Sequence, residues 1–210
     1  MGITERKERE KILRKEQILD AAETIFFTQG VEKATMDSLA EAAELSKGTL
    51  YLYFKSKEDI HYAVTQRGLQ RLFEKMKRID SSGKDAVDKL LVIADAVIHF
   101  CEEESELANS VLFFQACDFD KLNINQDQIK DDFLNNSPIQ LVHQLVEEGV
   151  KEGILRTDIP IETISHTLWA QLMGVIQVSA KKKALFDLVH ITQQDILESH
   201  FKIVLNGLRI

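Results

Sequence analysis

Residues 45–57 bring hydroxyl, ammonium and phenol groups together at the spacing of a short helix, in the run LSKGTLYLYFKSK. Hydroxyl and ammonium groups bind phosphate oxygens, a lysine donates to guanine, and the methyl group of a threonine contacts thymine. Gly48 has no side chain, so the backbone at this point can approach a groove closely. This chemistry indicates a surface that binds DNA. We predict contacts to the DNA backbone from Thr35, Ser46, Tyr53 and Lys57, and contacts to base edges from Lys47, Gly48, Thr49 and Tyr51.

The two tyrosines have a second interpretation, in which their rings pack half-buried against the protein. Leu50 and Phe54 are four residues apart and give the helix its apolar face, so we assign both to the core.

A short helix before this run is predicted to position it. Its buried positions follow the spacing i, i+3, i+4 and i+7, at Met36, Leu39, Ala40 and Ala43. Thr35 and Ser46 are placed to cap the two helices, and residues 44–46 are the whole connection between them. A turn of this length is typical of helix-turn-helix geometry, in which the second helix enters the major groove. The glycine that often occurs in such a turn is absent, and Glu44 stands near its place.

The helix that precedes this pair carries an apolar face and ends at Gly30. Residues 1–15 are highly charged, with six basic and three acidic side chains. Two interpretations remain open for them. They form a flexible arm whose Arg6, Lys7, Lys11 and Arg14 approach a phosphate backbone, or a solvated extension of the helix with charge pairs such as Glu10 with Arg14.

Residues 17–60 resemble the DNA-binding domain of the TetR family of transcriptional regulators. The resemblance rests on several separated features, namely ILDAA, Gly30, the Thr35 cap, SKGTLY, Phe54 and SKE. It implies an all-α fold with an N-terminal three-helix DNA-binding domain over residues 1–60. Residues 61–210 would then be a helical domain for ligand binding and dimerisation. The implied protein is a homodimeric repressor that binds a palindromic operator in double-stranded DNA and is released by a small molecule.

The composition is that of a helix-rich globular protein with an acidic surface. The apolar fraction is 44% with only two prolines and nine glycines, and no apolar run reaches the roughly 18 residues of a membrane span. With no apolar leader and two widely spaced cysteines, we expect a cytoplasmic protein that has no membrane association. Residues 1–60 contain ten basic and twelve acidic side chains. The positive charge that binds DNA therefore has to be concentrated on one part of this domain.

The two long helices near the end of the chain each carry an apolar stripe. By the resemblance, these helices pair with their mates in a homodimer, although packing within one subunit explains the same stripes. The interface candidates are Ile164, Leu168, Leu172, Val175, Leu197, Phe201, Val204 and Leu208. A long helix from about residue 57 to 79 is expected to connect the domains, so that a ligand acts by tilting it.

Large side chains on the middle helices are candidates for the ligand pocket, although each also fits ordinary core packing. The apolar candidates are Phe100, Phe113, Phe114, Trp169 and Met173, and the polar ones are His99, Gln115, His143 and Gln171. An apolar lining with few charges favours a lipophilic effector.

Enzymatic function is not expected. The six histidines do not have HExxH spacing, and the sequence contains no glycine-rich phosphate loop and no GxSxG motif. We therefore predict no catalytic residues, no metal site and no cofactor. The alternative is a helical interaction protein that keeps the TetR-like fold without reading DNA, which the acidic balance of residues 1–60 favours.

Overall fold

The computed structural model describes residues 2–79, 82–104, 107–108, 111, 122–134 and 137–210. Over these ranges the chain is helical and has no strand; its one isolated bridge pairs Leu155 with Arg209. The helices are α1 (Ile3–Gln29), α2 (Met36–Ala42), α3 (Lys47–Tyr53), α4 (Lys57–Lys77), α5 (Ala86–Glu103), α6 (Gln126–Leu134), α7 (Pro138–Lys151), α8 (Ile161–Lys181), α9 (Lys183–Leu188) and α10 (Gln193–Leu208).

The chain forms two compact units, and neither is one continuous stretch. The first unit contains Met1–Leu69 and Glu104–Ile129, and the second contains Gln70–Glu103 and Lys130–Ile210. The structure thus groups residues 61–69 and 104–129 with the predicted DNA-binding domain of residues 1–60. None of the described helices combines the length and the apolar character needed to cross a bilayer.

In the first unit, α1 extends through the charged N-terminal residues. The structure therefore shows the helix extension rather than the flexible arm, and its charge pair joins Arg6 to Glu10 instead of Glu10 to Arg14. At its far end, Gly30 has a φ of 82°, a conformation that suits glycine and stops the helix. Helix α1 packs on α2, and its buried residues include Ile18, Ala22 and Phe26.

Within this unit, Leu107, Val111 and Asn123 lie against α4. Gly68 makes the approach possible, because a Cβ placed there would lie 3.0 Å from both Leu107 Cγ and Val111 Cγ2. Closer to the start of α4, the buried Asp59 carboxylate accepts a hydrogen bond of 2.8 Å from the backbone N–H of Asn123. The first unit therefore depends on residues far along the chain.

The second unit has a core formed by α5, α7, α8 and α10. Its buried cluster consists of Val87, Leu90, Val142, Val146, Leu155, Ile164, Leu205 and Leu208. Pro138 begins α7, as its fixed φ allows, and Thr192 caps α10 by accepting a bond from the Asp195 amide. The short helix α9 was not predicted from the sequence.

The predicted dimer residues pack inside this unit. Ile164, Leu172, Leu197 and Leu208 are each less than 9% exposed, while Leu168, Phe201 and Val204 are half-buried against the same core. Val175 is also half-buried. The structure shows packing of these stripes within the subunit, which is the other interpretation. The sequence leaves both open, because a helix has the same apolar spacing whether it faces a core or an interface. The assignment of these residues to a dimer interface stays a prediction.

Candidate nucleic-acid interface

Helix α3 begins with a capped first turn at the surface. The Ser46 hydroxyl accepts a 3.0 Å bond from the Thr49 amide and lies 2.8 Å from the Thr49 hydroxyl. Gly48 is exposed, and the nearest atom to a Cβ there would be Ser46 Oγ at 3.9 Å. Helix α2 begins in the same way, with Thr35 accepting a 3.1 Å bond from Ser38. Both predicted caps are confirmed, and these hydroxyls lie at exposed helix starts where phosphates bind well.

The positive charge of Lys47 is already paired. Its Nζ lies 2.7 Å from an Asp37 carboxylate oxygen, and this hydrogen bond raises the pKa of the ammonium. Both side chains are more than half exposed, so a DNA base or phosphate can compete for the lysine. Asp37 was not among the predicted site residues, although its position at the start of α2 could have suggested it.

The side chains in the later part of α3 differ in exposure. Tyr51 is 37% exposed and Leu52 is 79% exposed, whereas Leu50 and Phe54 are buried as predicted. Tyr53 is half-buried and lines a groove beside the N-terminal turns of α1. Leu52 is an addition to the predicted set, since its exposed apolar side chain can contact a thymine methyl group.

Lys57 has a structural role that differs from the predicted one. Its Nζ donates to the backbone carbonyls of Val31, Glu32 and Ala34, at 2.9, 2.9 and 3.1 Å. An ammonium has three protons, so these bonds use its whole donor capacity. In this structure Lys57 ties the start of α4 to the turn between α1 and α2, and its contact with the DNA backbone stays a prediction.

The turn between α2 and α3 is held by an unusual backbone conformation. Glu44 has a φ of 55°, in the left-handed region where glycine is most stable. Gln17 of α1 supports the same turn by donating a 3.0 Å bond to the Ala43 carbonyl. The sequence suggested a missing glycine here, and the structure shows that a glutamate adopts its conformation.

A charged cluster attaches α1 to α4 within the first unit. The Arg67 guanidinium bonds to the Glu16 carboxylate, to Asp20 at 2.6 Å and to Glu23 at 3.1 Å. These carboxylates raise the pKa of Arg67 although burial opposes the charged form. The cluster fixes the helix that carries Gln17, and sequence reasoning missed it because its partners are more than 40 residues apart.

The second unit contains an apolar cavity that is partly open to solvent. Its polar side chains are those of Trp169 and His200, and burial lowers the pKa of His200, which favours the neutral imidazole. Other lining residues include Leu90, Leu91, Ile93, Ala94, Val97, Val142, Leu168, Leu172, Phe201, Val204 and Leu205. Several predicted interface residues therefore line the cavity.

The predicted pocket residues are mostly placed elsewhere. Trp169 lines the cavity, but His99 and Gln171 are exposed, and His99 Nδ1 lies 2.9 Å from the Asp95 carbonyl. Phe100 and Met173 are buried core residues, and His143 is half-buried, with Nδ1 3.5 Å from the Ser165 hydroxyl. Phe113, Phe114 and Gln115 lie outside the described residues.

The sequence of the chain matches a known protein family and its members. Residues 18–64 match the model for bacterial regulatory proteins of the tetR family. The HTH-type transcriptional repressor KstR2 of Rhodococcus jostii (strain RHA1) is 30% identical over 149 residues, which cover 71% of this chain and 71% of that protein. The chain belongs to the TetR family.

Other known proteins are similar to the chain in sequence or in fold. The HTH-type transcriptional regulator SrpR of Pseudomonas putida is 28% identical over 173 residues, covering 80% of this chain and 76% of the relative. A crystal structure of a tetR family transcription regulator from Shewanella sp. PV-4 has a TM-score of 0.69 at 18% identity, covering 94% of this chain and 98% of that chain. The predicted resemblance and all-α fold are confirmed, and this TetR-family chain is a DNA-binding transcriptional regulator and not an enzyme.

Proposed function

We propose that the chain is a ligand-responsive repressor that binds a palindromic operator as a homodimer, in the cytoplasm. The observation that carries this proposal is the capped, exposed first turn of α3, where Gly48 leaves the backbone open and Thr49 and Tyr51 flank it. A C2 dimer places two such helices about 34 Å apart, on successive faces of the major groove. Repression is the activity named for KstR2, the 30% identical relative.

The reading role of α3 is tested with operator sequences selected in vitro by the purified protein. Lys47→Ala and Tyr51→Ala should each weaken specific binding by about 1–3 kcal/mol, because each removes a base contact. Lys84→Ala, an exposed lysine of the second unit, is the matched control. Undiminished specific affinity in both α3 variants would contradict the reading role. An absence of any sequence preference would favour the interaction protein instead.

The proposed dimer surface is the outward side of the C-terminal helices. In the second unit, the exposed large apolar side chains among the described residues all lie from Val178 onward: Val178, Leu185, Leu188, Val189, Ile191, Ile203 and Ile210. Such a concentration of apolar surface is typical of an interface. This surface lies on α8, α9 and α10 and at the chain end, and thus includes the two helices that the sequence predicts for the interface.

The proposed effector is a small apolar molecule that occupies the cavity of the second unit. The lining contains no Lys, Arg, Asp or Glu side chain, so a charged group buried there would have no ionic partner. A ligand releases the operator only if it binds the released conformation better, and tilting α4 is the proposed route.

The effector site is tested by thermal shift with fatty alcohols, fatty esters and steroids. Leu168→Trp should abolish the shift because the larger ring fills the cavity, and Gln171→Trp, exposed on the same helix, should retain it. If no apolar compound stabilises the wild-type protein or releases it from DNA, the effector proposal is wrong.

A further inference from the structure

The cations near α3 are largely occupied within the protein. Lys47 pairs with Asp37, Lys57 donates to three carbonyls, and Lys55 Nζ donates a 3.0 Å bond to the Tyr51 carbonyl. Affinity for duplex DNA nevertheless depends mainly on Lys and Arg side chains that neutralise phosphates. The first unit therefore needs positive charge from another element.

The first four turns of α1 carry cations of this kind. Lys7, Lys11 and Arg14 lie at i, i+4 and i+7, on one face of the helix, and line a groove together with Tyr53 of α3. Lys7 and Lys11 form no ion pair with any described residue, and Arg14 donates only to the neutral Gln17 amide, at 2.9 Å. Glu10 also lines the groove, but its carboxylate is bonded to Arg6 at 3.0 Å, which offsets its charge.

We propose that this groove, the arm groove, binds the sugar-phosphate backbone of duplex DNA beside the site that α3 reads. The inference rests on the proposed function, because the ligand is the same duplex. The three cations are spread over seven residues of α-helix, about 10 Å along its axis. Their long side chains can therefore reach several phosphates of one DNA strand, whose nucleotides rise about 3.4 Å each along the duplex axis.

The position of the groove relative to α3 is fixed by contacts inside the first unit. Gln17 binds the Ala43 carbonyl in the turn before α3, and the Arg67 cluster attaches the adjoining part of α1 to α4. The Lys15 ammonium also lies 5.8 Å from the centre of the Phe54 ring at the end of α3. A backbone held in the groove is therefore held in register with the reading helix.

The test compares two variants of the full chain with the same net charge. One replaces Lys7, Lys11 and Arg14 by Gln, and the control replaces Lys84, Lys130 and Lys182, three exposed lysines elsewhere, by Gln. Glutamine keeps the helix propensity, and circular dichroism checks that α1 remains folded. Binding to the selected operator duplex and to a scrambled duplex is measured by fluorescence anisotropy over a range of salt concentrations.

We expect the slope of log K against log salt to fall by about 2–3 per protomer in the arm-groove variant, on both duplexes, with little change in the control. The preference for the operator should persist, because the contacts carry no sequence information. A variant with Lys7→Arg, Lys11→Arg and Arg14→Lys should recover the slope.

The outcomes separate the two proposals. If the wild type prefers the operator but the arm-groove variant has the same slope as the control, the arm groove is wrong and the reading function stands. If the wild type binds both duplexes equally and the variant loses slope, the groove stands and sequence reading is wrong. If the wild type binds neither duplex at any salt concentration, both are overturned.

Discussion

Glu44 has a backbone conformation that is unfavourable for its residue type, yet the turn between α2 and α3 requires it. The turn between α2 and α3 requires a positive φ, and a glutamate adopts it at 55°. An L side chain in this region costs about 1–2 kcal/mol, a cost that glycine avoids. The residue is also an exposed carboxylate close to the proposed DNA-binding surface.

Glu44→Gly should therefore raise the free energy of unfolding by about 1 kcal/mol, as measured by urea denaturation. The matched control is Glu41→Gly, which removes the same charge inside α2 and should lower stability by about 1 kcal/mol because helical φ disfavours glycine. Operator affinity should rise in both variants as negative charge is lost. Destabilisation by Glu44→Gly would contradict the strain at this turn.

His61 makes the stability of the first unit depend on pH. The ring is 1% exposed and packs edge-on against Phe26, with centroids 5.5 Å apart. Burial lowers the pKa of His61 from its ordinary 6.5 to about 4. Between these values the unfolded chain binds a proton that the folded chain does not, so stability falls as the pH decreases through this window.

The expected loss between pH 7 and pH 4 is up to about 3 kcal/mol from this residue. Denaturation measured across the window should show a shallower dependence for His61→Leu than for the wild type. His166→Gln, a change at an exposed histidine, should leave the dependence unaltered. If the free energy of unfolding changes equally with pH in the His61→Leu variant and the wild type, His61 is not the cause of the pH dependence.

The α7 helix depends on a glycine for its packing. A Cβ at Gly149 would lie 2.6 Å from Leu155 Cδ1 and 3.1 Å from Ala86 Cβ, and Leu155 is fully buried and cannot easily move. We expect Gly149→Ala to lower stability by about 2 kcal/mol, although alanine favours the helix by about 1 kcal/mol. Gly207→Ala in α10, with open space around the added carbon, should be neutral or stabilising by the same denaturation measurement.

The sequence predicted local features of these elements well. Thr35 and Ser46 cap their helices as expected, because the signal lies within three residues of each cap. The bonds from Lys57 to the Val31, Glu32 and Ala34 carbonyls could not be predicted, because backbone acceptors at least 23 residues away in sequence are not recognisable from residue type. The cavity was likewise missed, since the spacing of an apolar stripe does not show what the stripe faces.

At the scale of the whole molecule, the exposed apolar surface of the second unit predicts self-association. Ile203 is 72% exposed on α10, so Ile203→Glu should weaken the dimer by about tenfold or more, measured by analytical ultracentrifugation. Gln144→Glu introduces the same charge at an exposed position on α7 and should leave the dimer unchanged. A wild-type protein that sediments as a monomer at all concentrations would contradict the dimer itself.

Because residues 104–129 belong to the first unit, the N-terminal DNA-binding domain cannot be exchanged by itself for that of a relative. A single splice after Leu69 would place Gly68 and Asp59 opposite foreign residues in place of Leu107, Val111 and Asn123. A chimera that binds a new operator therefore has to transplant both stretches together. The two stretches of the first unit therefore have to evolve together, although more than thirty residues separate them in the sequence.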